Sequence, residues 1–474
     1  MNALVWFRND LRVHDHKALY EAASNHDSVI GVYVIDNLNA KTAHGFFKHS
    51  EHKRQFLKES LKDLKERLET LNIPLIVKQG SVSEVLNTLG QRYNVDYVYY
   101  HREIGDEETA REKDLLNRTN LHVKSFFQKT LLHPDDLPYS TQNIPDIFTH
   151  FRKDVERNWK VRKPLPVPSR LSKRIQIQRE DCEGLNVIKN GPSLKPYRGG
   201  ETQGLNRLKY YLFDSDAIAT YKETRNGMLR HDDSSKLSPY LAYGCISPRT
   251  VYENIKTYEA THVKNQSTYW LVFELLWRDF FSFIHSKVGN HLFRVGGIQN
   301  VDIPWRNNET DIVKWIEGRT GYPLVDAAMR ELKQTGYMSN RARQNVASFL
   351  TKNLGIDWRV GAEWFESQLI DHDVSSNYGN WNYIAGIGND AREFRFFNVT
   401  KQGKRYDPNG EYVKTWVNEI KDVDESLIYD LPTLNPMFKQ SLVTDYPEPM
   451  VDFENSTAKW KTIYLKAYKK LNHS

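Results

Sequence analysis

Between Asp371 and Trp381 the chain reads Asp-His-Asp-Val-Ser-Ser-Asn-Tyr-Gly-Asn-Trp, placing two carboxylates, an amide and an indole within about three helical turns. Asn340, Arg341 and Arg343 precede it, and Trp358 lies between. A carboxylate, a cation, an amide and rings in a water-poor site suit the fixing of a conjugated cofactor's charge and orientation, with the cofactor supplying the chemistry. Taken alone, the same residues also satisfy a helix pair closed by an Arg–Asp bridge. A second polar set, Glu274, Arg278 and Asp279, interrupts the apolar stretch from Thr268 to Phe283. Glu274 and Arg278 are spaced i, i+4, so an ion pair along one helix face is the plain expectation and a binding site the sharper one.

The elements that must position these groups fall into two styles. Ala3–Phe7, Val29–Val34, Pro74–Val77 and Tyr97–Tyr100 are short apolar or aromatic runs that read as buried parallel strands. From His52 to Asn72, Phe56, Leu57, Leu61, Leu64, Leu68 and Leu71 recur at helical spacing. The alternation predicts an open α/β, Rossmann-like parallel sheet with crossover helices over residues 1–132. Arg8-Asn9-Asp10-Leu11-Arg12 follows the first strand where a glycine-rich dinucleotide fingerprint would stand, which argues against NAD binding by that device. Residues 133–200 are basic and interrupted by prolines, and read as a surface-wrapped interdomain connector with one short capped helix over Pro145–Lys153. Residues 201–474 are dominated by helical periodicity, with Thr268–Phe283 as a central buried helix and a further amphipathic helix over Leu324–Leu332.

At 474 residues the chain exceeds what one core usually supports, so two domains are expected. Mean hydropathy is −0.66, and no apolar run is long enough to span a bilayer. The opening Asn2–Arg8 lacks the features of a secretory signal, and a cytoplasmic monomer is the expectation. Cys182 and Cys245, the two cysteines, exclude a disulfide framework and a cluster held by four thiolates. His44, His49 and His52 lack a Cys or acidic partner in sequence, so exposed or capping roles are expected and no metal site. A net charge of +6 permits a nucleic-acid partner without demanding one.

Six blocks of the helical part, read together, carry a resemblance. They are Ser234-Ser235-Lys236-Leu237-Ser238, Phe273–Asp279, Gly321–Asp326, Met338–Arg343, Ile356–Arg359 and the segment ending at Trp381. In this order and spacing they resemble the flavin-binding domain of the photolyase/cryptochrome family, and Val5–Arg12 resembles that family's opening strand and loop. Asp136-Leu137-Pro138, Pro145–Thr149, Asp216–Gly227, Gly386–Asp390 and Tyr406–Gly410 are most similar to the cryptochrome-DASH branch. The resemblance implies FAD, with Ser234, Ser235, Lys236, Leu237 and Ser238 at the diphosphate and Tyr221 closing the same side. It implies Asp371 paired with Arg343 beneath the ring system, Asp373 accepting from the ring or ribose, and Asn340 at the cofactor. Asn377 is expected at the redox-active ring nitrogen, where an amide donates or accepts by reorienting. Trp381, Trp358 and Trp305 match the family's chain of electron-carrying indoles. A folate antenna, 5,10-methenyltetrahydrofolate, is implied between the domains, with its acidic contact within Glu103–Glu108.

For the substrate, the resemblance implies a DNA lesion taken out of the stack and held by Glu274, Trp277, Asn340, Gln344 and Tyr383, with Trp277 and Tyr383 flanking it. Arg225, Arg278, Arg341, Arg392, Arg395 and Gln402 are candidates for DNA contacts. The duplex-repairing branch carries Met where Gln344 stands and Trp where Tyr383 stands. A smaller, more polar pocket favours dimers in single strands or loops. The function implied is blue-light-driven repair of cyclobutane pyrimidine dimers. A blue-light photoreceptor using flavin photoreduction is the alternative, weakened by the short Lys-rich tail from Trp460 to Lys470. Repair of the six–four photoproduct is disfavoured because its His pair is absent from Met338–Arg341.

Overall fold

The computed structural model describes residues 2–471 except 36, 183 and 391–393. Strands β1 (Asn2–Phe7), β2 (Ser28–Ile35), β3 (Leu75–Gln79), β4 (Val95–His101) and β5 (His122–Phe126) form one parallel sheet in the order β3-β2-β1-β4-β5. Helices α1 (Lys17–Asn25), α2 (Glu51–Thr70), α3 (Val82–Arg92) and α4 (Asp106–Arg118) make the crossovers. Ala3 to Phe7 are all buried, as expected of a central parallel strand covered on both faces. The four anticipated strands are present, and β5 is an addition. Its residues His-Val-Lys-Ser-Phe are half-buried or exposed at the sheet edge, so they carry no apolar run to betray them.

Strand order reverses beside β1, and the carboxyl ends of β1 and β4 meet there. In open α/β sheets that crevice is where ligands bind. Asp10, His16 and His101 cluster beside it, all buried. Asp10 Oδ2 lies 2.7 Å from His101 Nδ1 and 2.9 Å from His16 Nε2. Each ring's other nitrogen accepts a backbone N–H, from Ala18 and from Leu19. The ring nitrogens facing Asp10 are thus the ones left to carry the protons towards its carboxylate.

In the connector, α5 (Phe148–Arg157) starts later and runs longer than the sequence signal, and its Ile147 N-cap supplies no side-chain cap. Its apolar face, Phe148, Phe151 and Val155, holds it instead. The connector is also tied to both flanks by buried Asp15, which accepts from the Leu165 amide, Ser247 and Arg249.

The helical part is built around α6 (Gln266–Val288), started by a capping box between Asn265 and Thr268. Its Asp279 accepts the Leu131 and Leu132 amides at 2.9 and 2.8 Å, fastening the helix to the exit of the sheet domain, and burial pushes this carboxyl up to about 7. Against α6 packs α9 (Val374–Ala385), on which α7 (Asn340–Ser348) and α8 (Trp358–Gln368) pack in turn, while α10 (Phe453–Leu471) packs on Phe349–Leu354. The expected Lys-rich tail is thus a packed helix: Trp460, Tyr464 and Tyr468 are buried. A β-carbon at Gly355 would fall 1.6 Å from the Trp460 ring, so only glycine lets that ring seat. No described helix is long and apolar enough to cross a membrane.

Candidate functional site

A cavity of about 530 Å³ opens between α6, α7, α9 and the loop Ser234–Ser238. The loop is shaped by Arg207, a residue with no signal in the sequence. Its guanidinium donates to the carbonyls of Ser235 and Ser234 at 2.9 and 3.1 Å and to Asp232 at 2.7 Å. Lys236 adopts a left-handed backbone, φ 55°, which costs a residue bearing a β-carbon of order 1 kcal/mol and is typical of ligand clamps. Its side chain is buried over the Tyr337 ring at 4.7 Å, and no carboxylate among the described residues pairs with it. Tyr221, Leu237 and Ser238 line the same wall.

On the opposite wall, Arg343 donates to Asp371 Oδ2 at 2.8 Å, and Ser238 Oγ donates to the same oxygen at 2.6 Å. Burial alone would lower the Arg343 guanidinium, but the Asp371 carboxylate outweighs it and holds the cation firmly charged. Asp371 Oδ1 is buried with no hydrogen-bond partner. Asp373 caps α9 by accepting from the Ser376 amide and lies 3.1 Å from Lys129, which in turn bonds Glu103 at 2.9 Å. Burial pushes Asp373 up, yet Lys129 and Arg278 together hold it far below the usual carboxylate range. Lys129 has no motif signal in the sequence. Asn377 donates its amide to the Ala362 carbonyl at 2.9 Å. That bond fixes the side chain, so the reorientation expected of a free amide gives way to a fixed, outward carbonyl oxygen.

Glu274, Trp277, Asn340, Gln344, Tyr383 and Arg395 line this same cavity. The i, i+4 pairing expected within α6 does not form: Glu274 pairs with Arg225, at the end of the short helix Tyr221–Thr224 that packs on α6. Arg278, also in the lining, donates to the Lys129 carbonyl at 2.7 Å and so helps fasten backbone. Burial raises the Glu274 carboxyl, opposed by the Arg225 charge. Trp277 and Tyr383 do not stand apart as two jaws. Their rings meet edge to face with centroids 6.0 Å apart and planes 82° apart, forming a corner. Arg395 donates to the Tyr383 hydroxyl at 3.2 Å. Arg341 is turned away, bonded to Asn226 and Gln344 and stacked over Tyr406 at 4.7 Å. Gln402 lies on the Val399–Tyr406 helix outside the lining, and Arg392 lies outside the described residues.

A side cavity of about 90 Å³ connects Asn377 and Asp371 to the Trp381 ring. Trp381 and Trp358 are buried and Trp305 is partly exposed. A β-carbon at Gly361, one turn after Trp358, would meet the Trp381 ring at 2.1 Å, so the two indoles share one helix as support. Arg306, next to Trp305, forms a parallel bridge with Ile356, and its amide donates to Gly355 at 2.8 Å. Trp315, fully buried, is a further neighbour of Trp381 at 6.4 Å that sequence spacing gave no reason to choose.

A separate cleft of about 480 Å³ lies at the carboxyl ends of β1, β2 and β3 against the helical part. Glu103, Glu107 and Glu108 line it, while Asp106 does not. The hairpin after β2 closes one side, held by His44, which is exposed, as expected, and bonds Glu363 at 3.0 Å. His49 lines the cleft, and burial beside Lys53 and Arg54 pushes it down to about 3; His52 bonds the Gln334 carbonyl.

Residues 3–169 match the family described as DNA photolyase, and residues 270–466 match the FAD binding domain of DNA photolyase. Cryptochrome DASH of Gloeobacter violaceus is 46% identical, covering 98% of this chain and 96% of its own. Cryptochrome DASH of Danio rerio is 45% identical over 94% of this chain and 89% of its own. Among solved structures, the cryptochrome of Synechocystis sp. PCC6803 superposes with a TM-score of 0.92 at 45% identity, covering 98% of this chain and 99% of that one. A bacterial class III photolyase from Agrobacterium tumefaciens does so with a TM-score of 0.87 at 29% identity, covering 99% and 98%. Sheet order, the aligned helical blocks and these likenesses agree: the chain belongs to the photolyase/cryptochrome family, closest to its cryptochrome DASH branch, and is a flavoprotein that binds FAD.

Proposed function

We propose that this flavoprotein uses blue light to split cyclobutane pyrimidine dimers, with preference for single-stranded or looped DNA. One observation carries the reading: the residues assigned to the lesion and, apart from Asn377 in the adjoining side cavity, those assigned to the flavin line one continuous cavity. A bound dimer would thus touch its electron donor with no protein between them. The donor set fits the cofactor. Lys236 is a buried cation with no carboxylate beside it, suited to a diphosphate, and Asp371 keeps a buried acceptor without a partner. Bound and fully reduced, FAD supplies the electron on excitation.

The rest is the work of side chains. As the lesion enters, Arg225, now on Glu274, is released towards the strand; Glu274, raised by burial, then takes up a proton from solvent and donates it in a hydrogen bond to a pyrimidine carbonyl that gains negative charge. Trp277 and Tyr383 give the apolar cyclobutane ring an aromatic corner to lie in. Polar Gln344 and the smaller Tyr383 grip it less than Met and Trp would, leaving less energy to offset base flipping, which supports the single-strand preference. The fixed Asn377 carbonyl accepts from a protonated ring nitrogen. Trp381, Trp358 and Trp305 return the cofactor to its reduced state from outside. The 480 Å³ cleft, with acids and Lys48, Lys53 and Lys129 around it, suits a folate antenna.

The test is illumination of the reduced, flavin-loaded protein with a single-stranded oligonucleotide carrying one thymine dimer. Restored thymines support the proposal. Unchanged dimers with flavin fully bound transfer the protein to the photoreceptor reading, in which photoreduction through the indoles is the output.

A further inference from the structure

We propose that Phe148, on the connector rather than in the cavity, is a positioning residue that sets the affinity of the lesion pocket by holding Trp277 flat; this rests on the reading of Trp277 as a lesion contact. The two rings stack with centroids 3.7 Å apart and planes 11° from parallel. Phe148 is itself buried and touches the edges of Phe273 and Phe280 at 5.1 and 5.6 Å. It does not line the cavity, whereas Trp277 does. One indole face is therefore closed by the connector, and the ring is left to meet a ligand with what remains.

The connector is held for this task from both sides. Lys287 of α6 donates to the Ile144 carbonyl at 2.8 Å and to Asp146 at 2.7 Å. Asn389 donates to the Asp146 carbonyl at 2.7 Å from the opposite flank. Phe151, one turn beyond Phe148, packs on Phe280 and Phe283. The segment before α5 is thus a fixed backing plate. An indole without it would sample other rotamers and would have to be ordered by the incoming dimer. Ordering one such side chain weakens binding by about two- to tenfold.

The experiment uses flavin-loaded full-length protein and the single-stranded thymine-dimer oligonucleotide, with Phe148→Leu, Phe148→Trp and Trp277→Leu. Phe148→Leu is expected to raise KM by about two- to tenfold with kcat and flavin photoreduction at wild-type values, and Phe148→Trp, which restores a flat ring, to recover KM. Phe148→Met, similar in bulk and without a ring, replaces the Leu variant if that one loses flavin. Wild-type KM in the Leu or Met variant, alongside a raised KM in Trp277→Leu, overturns the inference and spares the lesion reading. An unchanged KM in Trp277→Leu overturns both.

Discussion

Lys129 stands 3.1 Å from Asp373, and this ion pair is a wall common to the cofactor cavity and the interdomain cleft. Asp373 faces both spaces, and Lys129, bonded onward to Glu103, faces the cleft. A single cation thus balances carboxylates that serve two chambers.

Removing that cation should be costly. Lys129→Met removes the near cation of both Asp373 and Glu103, leaving Asp373 with Arg278 alone, which costs about 3 kcal/mol. Asp373 is held low in the fold, so its contribution is present above the unfolded carboxylate value, near 4, and is lost as pH falls through the folded value. The variant lacks that contribution, so its deficit should shrink on acidification. Urea unfolding at neutral pH and below about pH 4 reads this directly, and a deficit independent of pH would contradict the assignment.

The hairpin that closes the cleft carries the opposite sign. The hydrogen bond to Glu363 raises the His44 imidazole, and His44 in turn keeps Glu363 low. A raised base stabilises the fold below its unfolded value of about 6.5, and that contribution is lost as pH rises through the folded value. Hydrogen exchange in residues 37–48 should quicken across that window in the wild type, beyond the intrinsic dependence, and not in His44→Ala.

At Gly361 the added β-carbon meets the Trp381 ring and Leu350 at 2.1 and 2.7 Å. Alanine in mid-helix normally gains about 1 kcal/mol over glycine, whereas here overpacking costs about 1–3 kcal/mol and displaces the indole. Gly361→Ala should slow flavin photoreduction while repair by pre-reduced protein persists, as should Trp381→Phe. Steady illumination with an external reductant, followed by absorbance, separates the two steps. Equal loss of both would contradict the electron path.

Glu274→Ala removes a charge-assisted contact and frees Arg225. Repair should fall by about tenfold or more, with flavin content unchanged. A colourless product would instead make Glu274 a folding residue.

Much of this architecture was legible from local pattern. β1 to β4 are buried on both faces and announce themselves as apolar runs, while the polar edge strand β5 does not. Cavity residues came from clustered motifs, where several reactive types fall within a few turns. Arg207 and Lys129 could not be found that way. Their partners, Ser234–Ser235 and Asp373, lie 27 and 244 positions away, and an isolated basic residue in sequence is indistinguishable from a solvated one. The same limit explains the misread of Glu274. Its i, i+4 neighbour was visible, but the competing Arg225 arrives from another segment. The edge-to-face contact of Trp277 with Tyr383 depends on the crossing of α6 and α9, which no local pattern encodes.

Trp460 fills the space a side chain at Gly355 would need, and Gly355 receives the amide beside Trp305. No residue of α10 borders the cofactor cavity. A chain deprived of that last helix would therefore fail first as a conductor: it would still take up its pigment, but the outermost indole would lose the floor that fixes its distance from the next, and the wire would break at the solvent end.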